Sequence, residues 1–466
     1  MTTTRSIAVA VLAGAALSPS ACAQFLEPDA AALYTLQRGA GFGWAVSELR
    51  DIDGDGLMEG IGSTPSGSQS RGRVVVFSGA TGDILFEFDG PNPGDGLGYS
   101  VADAGDVDND GFVDVIAGSP GRGGMGGVVV LSGNPASYGS IIWNLSGPEA
   151  GAGFGYAVST LDDTNGDGHA DFLVGASGVD GGTLNEGRVY IYDGATGMVL
   201  RELEGSNTAS ALLGQGVAGV GDLDGDGVID AAASAPGEAI AYAWSGATGA
   251  KILPPMPGDA SATSVYGQFF VGRCGDVSGD GTPDIYVGDY NDSKGYVYSG
   301  EDGSRWLTLE APNTDGLGPG RGLMADINQD GHDDLTLGWY TNADGAPGAG
   351  KVVIYSGADG AVLRTLTSDI AGFALGFDCV GVGDVTGDGW VDLIASGSSK
   401  NRVYLIPGVN PCPADFTRDA TLTLDDVEAF AAAFLGGETG ADLDYTGTLN
   451  IDDVEAFVVG FLAGCP

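Results

Sequence analysis

The chain has 466 residues and sets 63 acidic side chains against 18 basic ones, a formal net charge of −45. That balance excludes a nucleic-acid partner, because neutralising phosphates takes clustered cations, and two His with five Cys leave little room for imidazole or thiolate chemistry. Glycine contributes 84 residues, yet 43% of the chain is hydrophobic, so the glycines mark frequent turns in an acidic β protein rather than a disordered chain.

Residues 1–23 read as an export signal. Arg5 supplies the basic start, Ile7 to Leu17 the apolar stretch, and Ala21-Cys22-Ala23 the small-residue cleavage site. Cleavage after Ala23 is expected, giving a secreted, cell-surface or periplasmic protein. Cys22 offers a lipid anchor as the competing outcome, but Pro19 stands where such a signal prefers Leu. No later run is long and apolar enough to span a bilayer.

An acidic loop of the form Asp-x-(Asp/Asn/Ser/Thr)-x-Asp-Gly-x-x-(Asp/Glu) then recurs. It begins at Asp51, Asp106, Asp163, Asp222, Asp276, Asp326 and Asp384, at intervals of 50 to 59 residues. A Gly-rich segment precedes each, as in Gly41-Phe42-Gly43-Trp44, Gly96-Leu97-Gly98-Tyr99 and Gly153-Phe154-Gly155-Tyr156, with looser later copies such as Tyr266-Gly267-Gln268-Phe269 and Leu375-Gly376-Phe377. Three further β-rich stretches follow, the last two joined by a Ser-Gly-Ala-Thr-Gly type of turn. Four short strands per unit, without helical periodicity, describe a β-meander. Seven meanders set radially make a seven-bladed β-propeller of four-stranded antiparallel blades, an all-β fold that protects most sheet edges. The seventh unit lacks a fourth strand, and residues 32–37 occupy the place of one before the first unit. The expected domain therefore runs over residues 30–409, closed by strand 32–37.

Carboxylates alternating around a Gly suit a hard cation. Calcium takes six to eight oxygens, and a tight turn of this pattern brings side chains one, three, five and nine, with the carbonyl of seven, toward one point. The first four loops offer Asp51, Asp53, Asp55 and Glu59; Asp106, Asp108, Asp110 and Asp114; Asp163, Asn165, Asp167 and Asp171; Asp222, Asp224, Asp226 and Asp230. The last three offer Asp276, Ser278, Asp280 and Asp284; Asp326, Asn328, Asp330 and Asp334; Asp384, Thr386, Asp388 and Asp392. An Asp-Gly turn needs no metal, but seven clusters of unneutralised acids would repel themselves, so Ca2+ in most loops is the expectation, in a structural role. His169 and His332 both fall at position seven, where the carbonyl is the ligand and the side chain is expected to point outward to solvent.

These units resemble the FG-GAP repeats of the integrin alpha-subunit β-propeller and its bacterial relatives, over roughly residues 32–407. The acidic loops carry the resemblance best, while the Phe-Gly and Gly-Ala-Pro elements vary. Every acidic loop joins a first strand to a second, so the second-to-third connections lie on the opposite face, where variable loops commonly do the recognising. Arg71, Arg73, Arg122, Arg188, Lys294, Lys351, Lys400 and Arg402 lie in or beside those connections. They read either as a rim for an acidic polysaccharide or acidic protein, or as gatekeeping charge at strand ends.

After Pro407 the composition changes. A shorter repeat of 27 residues begins at Asp415 and Asp442, each copy a twelve-residue loop followed by an amphipathic helix carrying Val427, Phe430, Phe434 and Val454, Phe457, Phe461 on one face. This resembles a type I dockerin, whose duplicated calcium-loop-and-helix units bind cohesins. The resemblance implies calcium ligands at Asp415, Thr417, Asp419, Thr421, Thr423 and Asp426, then Asp442, Asp444, Thr446, Thr448, Asn450 and Asp453. Ala420 departs from the loop Gly and Thr446 from an acid, and Leu424-Asp425 with Ile451-Asp452 replace the Ser/Thr pairs that meet cohesin. A Cys412–Cys465 disulfide would staple a module over residues 412–466. Cys274 and Cys379 are expected to be separate buried thiols.

The chain thus reads as a secreted, monomeric, calcium-stabilised propeller that binds a protein or polysaccharide, with a docking tail for a cohesin-like partner. It does not read as an enzyme, since no catalytic set is visible. The alternative is an extracellular polysaccharide lyase or hydrolase carrying a dockerin-like tail.

Overall fold

Short apolar runs broken every few residues by Gly, Asp and Ser cannot build long elements, and strands of two to nine residues result. The computed structural model describes residues 25–463, apart from 28–29, 31, 67–69, 260–264, 312–315, 318–324, 329, 388, 409–413, 415, 417–422, 438–440, 442 and 444–448. The export signal, Asp388, Cys412, Cys465 and the loop residues Asp415, Thr417, Asp419, Thr421, Asp442, Asp444, Thr446 and Thr448 lie outside the described residues.

Seven antiparallel sheets form a propeller. Blade one runs Val46–Leu49, Glu59–Thr64, Arg73–Phe77 and Ile84–Asp89 from the axis outward, and blades two to five repeat that order. Blade six has three described strands, Leu335–Trp339, Lys351–Tyr355 and Val362–Thr367. Blade seven consists of Leu375–Gly381, Leu393–Gly397 and Arg402–Ile406, with Tyr34–Gln37 as its outermost strand, in register Tyr34 to Leu405 and Gln37 to Arg402. Residues from the two ends of the domain therefore share one sheet.

Blades hold one another through side chains. The second and third strands read as continuous apolar runs, such as Arg73–Phe77 and Asp171–Ala176, because both faces of each blade are covered. Seven apolar clusters follow, one at each junction of neighbouring blades. Ile116 and Val130 of blade two meet Phe172 and Val174 of blade three, and Leu36, Val403 and Val380 of blade seven meet Phe77 and Val75 of blade one.

A second set of contacts clasps the rim. A fourth-strand side chain of each clasping blade reaches the third-to-fourth turn of the next. Trp143 Nε1 donates to Gly194 O (2.8 Å), Trp306 Nε1 to Gly357 O (2.9 Å), and the Arg364 guanidinium to Pro407 O (2.9 Å). At the seam the donor is Tyr34, whose hydroxyl reaches Ser78 O and Gly79 O, both at 3.0 Å.

Two helices, Leu424–Gly436 and Ile451–Ala463, follow the propeller. Phe430 and Phe457 stack with centroids 4.2 Å apart, inside a cluster with Ala414, Ala433 and Ala441. Thr423 and Asp426 cap the first helix reciprocally, and Asn450 N donates to Asp453 at 2.7 Å on the second. No helix among the described residues is long and apolar enough to cross a membrane.

Candidate metal loops and an axial aromatic cup

The first carboxylate of each acidic loop organises the turn around itself. Gly54 and Gly56 N–H groups donate to the two Asp51 oxygens at 2.7 and 2.8 Å. Asp106, Asp163, Asp222, Asp276, Asp326 and Asp384 collect loop N–H groups the same way. Position six is Gly because the turn needs a left-handed backbone there, with φ of 86° at Gly56 and 93° at Gly111. In three loops the carboxylates of positions one, three and nine come within 4.8 Å of one another: Asp51, Asp53, Glu59; Asp106, Asp108, Asp114; and Asp222, Asp224, Asp230. Loops three, five, six and seven carry Asn165, Ser278, Asn328 and Thr386 at position three, which lowers their charge but keeps an oxygen.

Position five turns partly outward to its own blade. Asp110 accepts from Asn134 Nδ2 (2.7 Å), Asp280 from Ser299 Oγ (2.8 Å) and Asp330 from Ser356 Oγ (3.3 Å), all in the third-to-fourth turn. Position nine is buried. Asp114, Asp171, Asp230, Asp284, Asp334 and Asp392 each use one oxygen for N–H groups near the loop start and the other for a turn glycine, namely Gly133, Gly194, Gly246, Gly300, Gly357 and Gly408. Glu59 differs, its Oε2 being buried without a hydrogen-bond partner.

Burial pushes these position-nine acids up, to about 7 for Glu59, Asp114 and Asp334 and about 6 for Asp230 and Asp284, and the N–H groups that donate to them pull partly back. An all-oxygen donor set with a buried, uncompensated carboxylate oxygen fits a hard divalent cation such as Ca2+. Among the described residues, three loops could hold it with side chains one, three and nine, with no imidazole or thiolate in the set.

The two histidines do not point into solvent as their loop position suggested. His169 Nδ1 lies 2.7 Å from Val107 O, and His332 Nδ1 lies 2.8 Å from Val277 O. Each imidazole therefore ties its loop to the loop of the preceding blade, a contact between units that a pattern within one unit does not show. Cys274 and Cys379 are separate, buried and free.

The cations beside the second-to-third connections are largely engaged inside their own blades. Arg73 pairs with Glu87 and Asp89, Arg188 with the buried Glu186, Lys294 with Asp259 and Asp292, and Lys351 with Asp344. Arg71 donates to Pro91 O, Arg122 to Asn144 Oδ1 and Arg402 to the Tyr404 hydroxyl, while Lys400 sits in an exposed 3-10 turn. Such pairing fits strand-end charge better than an anion-attracting rim.

A candidate site that no repeated motif marks lies on the axis. Trp44, Tyr99 and Tyr156 each follow the second Gly of the Gly-rich segment, just before or at the start of the innermost strand, and so converge at the end of the ring opposite the acidic loops. With Phe269, Tyr290, Tyr340 and Phe377 they line a cup of about 220 Å³. Ring centroids are 5.6 Å apart for Trp44 and Tyr99, 5.1 Å for Tyr99 and Tyr156, 5.0 Å for Tyr156 and Phe269, and 5.5 Å for Trp44 and Phe377. Trp44 Nε1 donates to Tyr99 O (3.1 Å), and Gln268 links the Tyr156 and Tyr290 hydroxyls. Asp378 also lines the cup, and one of its oxygens accepts from Val46 N at 2.8 Å. Below Val217 and Val271, which both cavities share, a polar vestibule of about 160 Å³ opens toward the loop face. There Arg50 bridges blades one, two and three through Asp103 (2.7 Å) and Asp162 (3.0 Å).

Residues 154–192, within the third blade, match the FG-GAP repeat family. Integrin alpha-V of Gallus gallus is 34% identical over 203 residues, 40% of this chain and 19% of that protein. Integrin alpha-4 of Xenopus laevis is 34% identical over 185 residues, 38% of this chain and 18% of that protein. Integrin alpha-PS2 of Drosophila melanogaster is 31% identical over 227 residues, 43% of this chain and 16% of that protein. The chain spans about a fifth of the length of these relatives. The chain is thus similar to integrin alpha chains over 185 to 227 residues, and its third blade to the FG-GAP repeat.

Proposed function

We propose that this chain is an exported calcium-binding adhesion or ligand-binding protein. Its propeller receives a protein ligand at the axial cup, and its C-terminal helices form a dockerin-like docking tail. The aromatic cup carries the reading. Seven rings, in edge-to-face, tilted and stacked pairs, crowd one opening in a chain of net charge −45. Such a cup favours an apolar or cationic side chain inserted along the axis. The paired cations on the same face argue against an acidic polysaccharide, and the similarity to integrin alpha chains supports binding rather than catalysis. Calcium in the loops holds the blades rigid, which keeps the cup in shape.

The test is a peptide array and a glycan array probed with the calcium-loaded full chain, its Trp44→Ala variant and its Tyr156→Ala variant. Peptide binding should be saturable and should fall roughly thirtyfold on loss of a central aromatic anchor, a cost of about 2 kcal/mol. The variants should still unfold cooperatively, at melting temperatures lowered by the lost ring contacts. Binding indifferent to both substitutions overturns the reading, and release of reducing ends from a polysaccharide would favour the enzyme instead.

A further inference from the structure

One blade departs from the other six at the buried end of its acidic loop. In six blades an Asp at position nine spends both oxygens on hydrogen bonds, the second of them to a glycine just after the blade's own third strand. Blade one has the longer Glu59 there. Its Oε1 takes Ile52 N at 2.9 Å and Asp53 N at 3.3 Å, while Oε2 takes nothing, although the residue is only 1% exposed. A buried carboxylate oxygen left unpaired is costly and calls for a compensating partner. The turn that would supply the glycine is held from the other side: Ser78 O and Gly79 O both accept the hydroxyl of Tyr34, which belongs to the strand that closes the ring. The extra methylene thus frees one carboxylate oxygen beside Asp51 and Asp53.

We propose that the first loop is the tightest cation site of the seven, with Glu59 binding through its unpaired Oε2, and that this ion steadies the seam where Tyr34–Gln37 joins blade seven. This rests on the reading of the loops as calcium sites. A carboxylate oxygen not already spent on backbone N–H groups adds a full ligand to the cage, and ligand charge and number raise calcium affinity. The seam consequence follows because Met58 O of the loop packs against Gly79, whose own carbonyl accepts the Tyr34 hydroxyl.

Calcium titration of the chelator-stripped full chain by calorimetry tests the ranking. The parent should show one equivalent about tenfold tighter than the rest. Glu59→Asp should merge that equivalent into the weaker class, and Asp230→Asn in blade four should leave it intact. Hydrogen exchange of the unaltered chain gives a readout independent of any variant's folding: one equivalent of calcium should slow exchange of the 34–37 amides before those of other outer strands. A tightest class unchanged by Glu59→Asp, or lost with Asp230→Asn, overturns the proposal, as does a seam whose exchange ignores the first equivalent. Failure of the parent to take up calcium at all would overturn the loop reading as well.

Discussion

At position nine a single carboxylate serves the backbone of its own blade and, in the calcium reading proposed above, would serve the ion as well. Without an ion, the raised values of Glu59, Asp114, Asp334, Asp230 and Asp284 give a signed pH dependence. The native chain holds protons on these acids that the unfolded chain, titrating near about 4, has already lost. Between those values the native state binds more protons, so stability falls as pH rises. The metal-free protein should therefore unfold more easily at about pH 7.5 than at about pH 5, with the loss developing between about 4 and 7. Calcium should reverse the trend, since it needs the deprotonated form. Urea melts of the chelator-stripped and calcium-saturated chain across that range check both signs, and parallel slopes would refute the account. The acidic residues themselves were legible in the sequence because a local turn repeats them. What position nine bonds to was not, because its turn glycine lies 16 to 23 residues away.

The blades depend on elements that finish one another. Four strands, a turn and a rim clasp recur, and the count of strands in the sequence already pointed to residues 32–37 as the missing member of blade seven, whose register with Arg402–Ile406 is continuous over four residues. The clasp itself was hidden. Trp143, Arg201, Arg364 and Tyr34 share one register in their fourth strands and Trp306 sits beside it at a bulge, so no residue type marks the position. The cup was hidden for a related reason. Trp44, Tyr99 and Tyr156 share a register, whereas Tyr290 and Tyr340 come from second-to-third connections, and only the closed ring brings them together. Two variants separate the roles of the closing strand. Tyr34→Phe removes one hydroxyl shared by two carbonyls and should cost about 1 kcal/mol without changing the fold. Deleting residues 25–37 leaves Arg402–Ile406 as an open edge with Val403 and Leu405 uncovered, and should yield strand-exchanged oligomers or protease-sensitive chain. Size-exclusion chromatography with limited proteolysis measures the outcome; a monomeric, resistant deletion variant would show that the strand is dispensable.

For the molecule as a whole, the formal charge of −45 is the largest unfavourable quantity in view. Self-repulsion of that size works against the compact state, and the acidic loops concentrate it on one face. Calcium bound in the loops would answer it locally, as each ion offsets two charges inside a cage and is screened little by salt because it is bound rather than diffuse. Salt answers it diffusely, through a Debye length that shrinks from about 30 Å at 0.01 M to about 10 Å at 0.1 M. The two remedies overlap, and their overlap can be measured. Each loop that binds only in the native state adds about 2.7 kcal/mol when calcium stands at about one hundred times its dissociation constant, so several loops together should dominate the melting temperature at low ionic strength. Thermal melts with and without chelator, at about 0.01 M and about 0.3 M sodium chloride, should show the gap between the calcium-loaded and stripped chains narrowing at the higher salt. The stripped chain should rise and the loaded chain should barely move. A gap that stays constant would place the stabilisation in loop ordering alone, with the repulsion among 63 acids contributing nothing measurable.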